Sequence, residues 1–384
     1  MKSNPYKLIF FVTADWFFCS HFIDRAISAR KAGYDVAVIT QASGQFYSTI
    51  EAAGIRVIPL SIDRKSLNPF ATMVTLWRLT QILQRERPDI LHQVALKPIL
   101  VGGLAAKLAN VRHIVNAVVG GGYVFTSSSA LMRVLRPIIR LSLKLLLNPQ
   151  GSRVVFENSD DMSAFVQEGW LRAEDAVLIR GAGVNETLFH SKSSNNDLPL
   201  IAMPSRLLWD KGIGEFVQAA RMLRECNVKA RFAIIGRPDP GNRASIDPVV
   251  LNRWKEEGIV ELWGFRQDMP QVLREADIVC LPSYREGLPK VLLEAMAASL
   301  PCVTTDVPGC REAVRDQENG LLVPPRDPAA LARALHELIR NPEMREQMGR
   351  KGRAKVLTDF ASSIICRKNL AVYEALISSS TKTN

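Results

Sequence analysis

Two glutamates, Glu286 and Glu294, stand in the run PSYREGLPKVLLEAMAASLP that extends from Pro282 to Pro301. The apolar stretch Ala276 to Leu281 just before them has the character of a short, buried parallel strand. Pro289 suits the first position of a helix, where a missing N–H costs nothing, and Val291 to Ala298 continues as helix. Glu286 and Gly287 are therefore expected at the carboxyl end of a strand, where open α/β sheets bind ligands. The N–H groups of Gly287, Leu288 and Lys290 would face an anionic or hydroxyl-rich ligand at the helix N-terminus. Glu294 follows roughly 8 Å further along the helix axis. Carboxylates so placed suit a ligand with two separate sets of hydroxyls, such as a sugar and a ribose. A capped surface helix with two solvated glutamates has the same spacing.

A second set lies upstream, in Ser205-Arg206-Leu207-Leu208-Trp209-Asp210-Lys211-Gly212. Arg206 and Lys211 come directly after an apolar strand, and Gly212 and Gly214 make the following turn tight. A planar guanidinium and a flexible ammonium beside a helix start suit a diphosphate. Where a diphosphate leaves, its charge grows in the transition state, and one pre-placed cation is worth on the order of 3 kcal/mol. Two solvated basic residues near a loop are the alternative.

The elements that must hold these residues come in two alternating series. In the first, Leu8–Thr13, Asp35–Thr40, Arg56–Pro59, Ile90–Val94, His113–Val118, Val154–Asn158 and Ala176–Arg180 are predicted strands. Residues 21–32, 70–87 and 98–109 are predicted helices between them, the rhythm of βαβ units on a parallel sheet. Residues 186–199 are polar and lack apolar periodicity, which marks a linker. The second series has predicted strands at 200–203, 231–235, 259–262, 276–281, 301–304 and 320–323. Its helices are predicted at 213–225, 270–274, 289–298, 310–315, 328–339 and 342–355, with a last helix around 360–378. The expectation is an α/β chain of two doubly wound, Rossmann-like domains facing across a cleft. Domains are expected at 1–190 and 200–358, joined by a linker at 191–199, with the segment 359–384 forming the last helix.

Composition narrows the function classes. A chain of 384 residues, 47% hydrophobic, is long for one core and suits two. It has no uninterrupted apolar run of 18 residues, which argues against a transmembrane helix. The N-terminal MKSNPYKLIFFVTADWFF is expected to be a first strand and not a signal peptide, because Asp15 interrupts it and no small-residue cleavage site follows. Six cysteines without metal-like spacing are expected to be reduced, cytosolic thiols. The net charge of +11 is uneven: residues 1–190 hold 21 Lys+Arg against 14 Asp+Glu, a net +7. Residues 90–156 hold eight basic side chains and no acid. Such a surface calls for an anionic partner, and no zinc-finger, RNP-like or basic-zipper pattern supports nucleic acid.

The longer words of the chain settle on one likeness. GGGYVFTS at 120–127, LPSYREGLPKVLLEAMA at 281–297, TDVPGCREAV at 305–314 and NGLLVPPRD at 319–327 resemble the retaining glycosyltransferases of family four. The subgroup they are similar to extends capsule, O-antigen or oligosaccharide chains on polyprenyl-diphosphate carriers. The likeness covers nearly the whole chain and implies the GT-B fold of two facing Rossmann-like domains, with the last helix crossing back to the first. It implies that Glu286 binds hydroxyls of the donor sugar, that Gly287, Leu288, Pro289 and Lys290 line the sugar and phosphate, and that Glu294 takes the ribose hydroxyls. Gly264-Phe265-Arg266 would border the nucleobase, and Gly236 would let the nucleotide approach closely. Family members often have a Gly-Asp-Gly-like turn here, whereas this chain reads Gly236-Arg237-Pro238-Asp239, which leaves any acidic contact open. No cofactor and no metal ion are implied; Arg206 and Lys211 would stand in for magnesium, and no Asp-x-Asp or His/Cys ligand cluster is present.

The implied reaction is transfer of a sugar from a nucleotide donor, UDP-hexose or UDP-N-acetylhexosamine, to a polyprenyl-diphosphate-linked saccharide with retention. A sugar-nucleotide epimerase on the same fold and a non-catalytic nucleotide-sugar-binding scaffold are the alternatives. No enzymic nucleophile stands out, which fits a front-face mechanism in which the leaving phosphate helps deprotonate the acceptor. On the acceptor side, His92 and Lys97 follow one strand and could face the cleft, and Gly120-Gly121-Gly122 could offer N–H groups to a diphosphate. The aromatics of Asp15-Trp16-Phe17-Phe18, expected in a loop, suit either a stacking wall or the core. In residues 131–147, Arg133, Arg136, Arg140 and Lys144 fall on one helical stripe, with Pro137 kinking the helix or starting its second part. A basic amphipathic helix suits an anionic membrane, and a helix packed on the sheet with solvated arginines is the alternative. The expected location is the cytoplasm, peripheral on the inner face of the cytoplasmic membrane.

Overall fold

The apolar runs of the first half pair side by side as one parallel sheet. The computed structural model describes residues 5–42, 44–62, 68–119, 139–191, 198–239, 242 and 244–381. Its first sheet has strands β1 (Lys7–Phe11), β2 (Asp35–Thr40), β3 (Arg56–Pro59), β4 (Ile90–Val94), β5 (His113–Val118), β6 (Ser152–Phe156) and β7 (Ala176–Leu178), in the order β3-β2-β1-β4-β5-β6-β7. Residues of β1, β2, β4 and β5 are buried almost throughout, as a parallel sheet covered on both faces requires. Helices α1 (Asp15–His21), α2 (Ile23–Lys31), α3 (Gly44–Ala52), α4 (Pro69–Glu86) and α5 (Leu96–Leu108) lie between the strands, followed by a helical stretch at 139–146 (α6) and by α7 (Ser159–Gln167).

Register decides which side each residue faces. Phe10 pairs with His92 and Phe11 with Gln93, so alternate residues pack on opposite faces. Phe10, Phe18, Phe22 and Ala26 share a core on one face, and Ile9, Phe11, Leu79, Leu83 and Val101 share one on the other. The loop expected at 15–18 is helical: Asp15 lies in the first turn of α1 and Phe18 is fully buried. Of these aromatics, Phe18 therefore belongs to the core.

The second sheet repeats the plan with β8 (Leu200–Pro204), β9 (Arg231–Ile235), β10 (Glu261–Gly264), β11 (Ile278–Leu281), β12 (Cys302–Thr305) and β13 (Gly320–Val323), in the order β10-β9-β8-β11-β12-β13. Its helices are α8 (Ile213–Glu225), α9 (Pro248–Glu256), α10 (Met269–Glu275), α11 (Lys290–Ala297), α12 (Pro308–Ala313), α13 (Pro328–Arg340) and α14 (Pro342–Lys355). Both orders are those of the doubly wound Rossmann fold. The strand order reverses direction between β8 and β11, so the loops after these two strands flank the switch point. Helix α9 carried a start signal that periodicity alone missed. Pro248 occupies its first turn and the Asp247 carboxylate accepts the Val249 N–H at 2.8 Å.

The chain divides into residues 1–182 with 363–384, and residues 183–362. The second unit begins earlier than 200 because Val184 and Phe189 pack into its core. A π-helical turn at Val356–Phe360 precedes α15 (Ser362–Thr381). Ile365, Val372, Tyr373 and Leu376 of α15 join the Phe10 core of the first unit. Most of the expected linker, residues 192–197, lies outside the described residues. No helix among the described residues is long and apolar enough to cross a membrane.

Candidate active site

At the carboxyl edge of the second sheet, one loop is built against another. Residues 209–211 form a single 3-10 turn after β8, and Gly212 follows with φ +74°. A Cβ on Gly212 would sit 2.1 Å from the Pro282 carbonyl oxygen, so only glycine lets the two loops approach so closely. The Tyr284 N–H donates to the Asp210 carbonyl at 2.9 Å, and the Ser283 hydroxyl donates to the same carbonyl at 3.2 Å. Thr305, at the end of β12, donates its hydroxyl to the Ser283 carbonyl.

This framework brings Lys211 and Glu286 together: Nζ lies 2.5 Å from Oε1, with 17% and 12% of the side chains exposed. The two residues are 75 positions apart in sequence and meet across the switch point. Helix α11 starts at Lys290, with Pro289 as its N-cap in extended conformation, one position later than the sequence suggests. Leu288 is buried in the core. Glu294 lies one turn inside, 3.7 Å from Lys290 Nζ. Burial pushes the Glu294 carboxyl up, and the Lys290 ammonium pulls it down by less.

Arg206 is exposed and pairs with Asp239 at 3.0 Å. The carboxylate of the Gly236-Arg237-Pro238-Asp239 turn is therefore engaged with the Arg206 guanidinium. A Cβ on Gly236 would lie 1.8 Å from the Ser205 carbonyl oxygen, so the backbone approach between these two loops itself requires glycine there. Phe265 is exposed after β10, with the Arg237 guanidinium 4.6 Å above its ring. Three side chains that sequence motifs did not single out complete the cluster. Tyr284 donates its hydroxyl to Glu215 Oε1 at 2.6 Å, and the Arg326 guanidinium lies 4.6 Å above its ring. Burial, then the bond to Glu215, pushes the Tyr284 hydroxyl up to about 12, so it remains a donor. The only sequence signal for Glu215 was its place in the first turn of α8.

Of the acceptor candidates of the first unit, His92 and Lys97 are among the described residues. His92 is fully buried; its Nδ1 lies 2.7 Å from the Tyr373 hydroxyl and its ring stacks on Phe10 at 5.0 Å. Burial lowers its pKa to about 3, the buried Arg25 adding to the effect. The expectation that His92 faces a ligand is thus corrected: register turns it into the core under α15. Lys97 lies in the first turn of α5, after Ala95 with φ +73°. Gly120, Gly121 and Gly122, and likewise Arg133, Arg136 and Pro137, lie outside the described residues. Arg140 and Lys144 are exposed on α6, Arg140 lying 5.3 Å above the Trp170 ring. Among the described residues no cluster of His, Cys, Asp and Glu could hold a metal ion.

Arg206 and Lys211 follow β8, and Glu286 and Glu294 follow β11, the two strands that flank the switch point, where doubly wound folds bind ligands. Two family models match the chain: Glycosyl transferase 4-like over residues 7–148 and Glycosyl transferases group 1 over residues 184–355. The chain belongs to the family-four glycosyltransferases. This glycosyltransferase is 26% identical over 371 residues to N,N'-diacetylbacillosaminyl-diphospho-undecaprenol alpha-1,3-N-acetylgalactosaminyltransferase of Campylobacter jejuni, covering 93% of the chain and 96% of the relative. It is 23% identical to UDP-Gal:alpha-D-GlcNAc-diphosphoundecaprenol alpha-1,3-galactosyltransferase of Escherichia coli, covering 85% of each. Anabaena HepE in complex with UDP shares the fold at TM-score 0.77 and 19% identity, over 96% of this chain and all of that one. The two-domain GT-B fold of the glycosyltransferase rests on this likeness and on its own two sheets.

Proposed function

We propose that this glycosyltransferase moves a hexose or N-acetylhexosamine from a uridine diphosphate donor to a polyprenyl-diphosphate-linked saccharide, with retention at the anomeric carbon and without a metal ion. The observation that carries the proposal is the Lys211–Glu286 pair at the switch point of the second sheet. Glu286 accepts hydrogen bonds from donor-sugar hydroxyls, while Lys211 and Arg206 meet the diphosphate. Glu294, carried on α11, takes the ribose hydroxyls, and Phe265 lies against the base. Gly236 and the 287–290 segment line the nucleotide, as the family likeness implies.

As the bond from the anomeric carbon to the phosphate oxygen breaks, negative charge develops on the leaving diphosphate. Lys211 and Arg206 stabilise it where it grows. The acceptor hydroxyl attacks from the same face, its oxygen bonds to the anomeric carbon and its proton passes to the departing phosphate oxygen. No side chain has to act as nucleophile. Glu286, Glu215 and Asp239 are each engaged with another side chain of the site, and Glu294 is held near Lys290.

The acceptor class is supported by the relatives, whose names specify undecaprenol-linked diphospho-sugars. Lys97, the 120–122 glycines and the basic stripe of Arg133, Arg136, Arg140 and Lys144 are proposed for the acceptor and for an anionic membrane on the cytoplasmic side. The test is UDP release from a panel of UDP-sugars, with and without a polyprenyl-diphosphate-sugar acceptor, and with chelator present. Acceptor-dependent release with an α-linked product from an α-linked donor supports the proposal. Silence across the panel, or a β-linked product, overturns it.

A further inference from the structure

Helix α4 presents large apolar side chains to solvent along most of its first three turns. Asn68 caps it by accepting the Phe70 N–H at 2.9 Å, and Pro69 opens its first turn, so the helix starts firmly. Its inner side is held by Leu79 and Leu83, which are fully buried against the sheet. Phe70, Met73, Val74 and Trp77 point the other way, Phe70 being 78% and Trp77 61% exposed. Their spacing of three, one and three puts all four on one stripe. A stripe this large on a helix surface marks an interaction site, since water-soluble domains seldom leave such patches uncovered.

We propose that this face of α4 is an apolar anchor that enters the headgroup–acyl boundary of an anionic membrane. The charges around it select that partner. Helix α4 packs along α5, and α6 packs on α5 through Leu146 at Gly103. Residues 69–85, 96–108 and 139–147 together carry six Lys and Arg and no Asp or Glu. The acid that ends α4, Glu86, is already paired with Arg56 and Lys7. The outer sides of the two neighbouring helices repeat the pattern, with exposed Leu104 and Leu108 beside Lys107, and exposed Leu141 and Leu145 beside Lys144. Exposed apolar side chains on helices whose charged residues, Glu86 apart, are all cations match a surface of acyl chains under anionic headgroups. A tryptophan in the stripe suits the same boundary. Within the proposed function, the anchor would hold the enzyme where a polyprenyl-linked acceptor resides. Its apolar side chains lie on α4, outside the basic stripe of residues 131–147, whose Arg140 and Lys144 supply two of the six surrounding cations.

The test is flotation of the full chain with vesicles of phosphatidylcholine alone or mixed with phosphatidylglycerol. The wild type should float with the anionic vesicles, and the variant Phe70→Ser/Met73→Ser/Trp77→Ser should lose at least about tenfold in partitioning. Its helix content and thermal midpoint should be unchanged, because the three side chains leave the core intact. Quenching of tryptophan fluorescence by brominated lipid should occur in the wild type and fall in Trp77→Phe. Equal flotation of the triple variant and the wild type would overturn the proposal. So would a wild-type dimer that the triple variant dissolves while vesicle binding stays absent, because the stripe would then face a second copy. A wild type that floats but transfers no sugar from any donor would leave the anchor standing and sink the proposed reaction. Transfer to a short-chain, water-soluble acceptor that survives in a triple variant unable to float would support both.

Discussion

Lys211 Nζ lies 2.5 Å from Glu286 Oε1, joining the turn after β8 to the loop after β11 in the second unit. The pair stands where the strand order of the sheet reverses. Its geometry is held by a backbone bond between residues 284 and 210 and by a glycine at 212 that no other residue could replace without a shift. A site assembled in this way is pre-organised before a donor arrives, which is what stabilisation of a leaving diphosphate requires.

Lys211→Ala and Glu286→Ala are each expected to lower kcat/KM for the donor by about 10²-fold or more. The double variant should lose much less than the product of the two, since the side chains act as a unit. Kinetics of UDP release on the four proteins would check this. Near-normal turnover in Glu286→Ala would remove it from the donor-sugar role.

Glu294→Gln separates function from stability. Burial pushes the Glu294 carboxyl up, so the folded state binds its proton more tightly than the unfolded chain. The charged form is therefore disfavoured by folding above the carboxyl's ordinary range, and stability from this group rises as pH falls toward it. Neutral glutamine should leave the thermal midpoint at neutral pH equal or higher while the donor KM rises. A lower midpoint at unchanged KM would mean that the carboxylate serves the fold and not the ribose.

Arg326 occupies the left-handed region at φ +62° while its guanidinium caps the Tyr284 ring. Arg326→Gly should relieve strain of about 1 kcal/mol and keep or raise stability. The 284–286 loop would lose that cation, and turnover should fall several-fold in spite of the firmer fold. Stability and activity that both drop together would assign Arg326 a purely structural role. Tyr284→Phe, which loses the bond to Glu215, provides the comparison.

His92 makes the fold acid-sensitive. Its pKa falls from an ordinary 6.5 to about 3 in the core. Between those values the unfolded chain takes up a proton that the native chain refuses, so stability declines as pH drops through that window. The loss from this one group between pH 7 and pH 5 is on the order of 2 kcal/mol. Urea unfolding of wild type and His92→Gln at the two pH values would measure it, with a shallower pH dependence expected in the variant. Equal slopes would show that His92 does not govern the acid limb.

By itself the sequence determined a good deal of this glycosyltransferase. Runs such as Leu8–Phe11 and Ile278–Leu281 are apolar throughout because both faces of a parallel sheet are covered, and that makes such strands legible without a structure. The placement of Arg206, Lys211 and Glu286 in loops after strands was legible because an apolar run precedes each loop, and that of Glu294 because Pro289 marks the start of the helix that carries it. Helices with weak periodicity, such as α3 over Gly44–Ala52, were not, because tertiary packing and not propensity supplies most of their stability. Tertiary structure alone decided that His92 belongs to the core. Its neighbour Gln93 faces the opposite side of the sheet and is equally buried, so neither face of this strand is open, which local spacing does not reveal. It alone brought Glu215, Tyr284 and Arg326 together from α8, the loop after β11 and the loop after β13. Contacts across 69 positions of chain, as between Tyr284 and Glu215, arise from strand order, which local spacing does not encode.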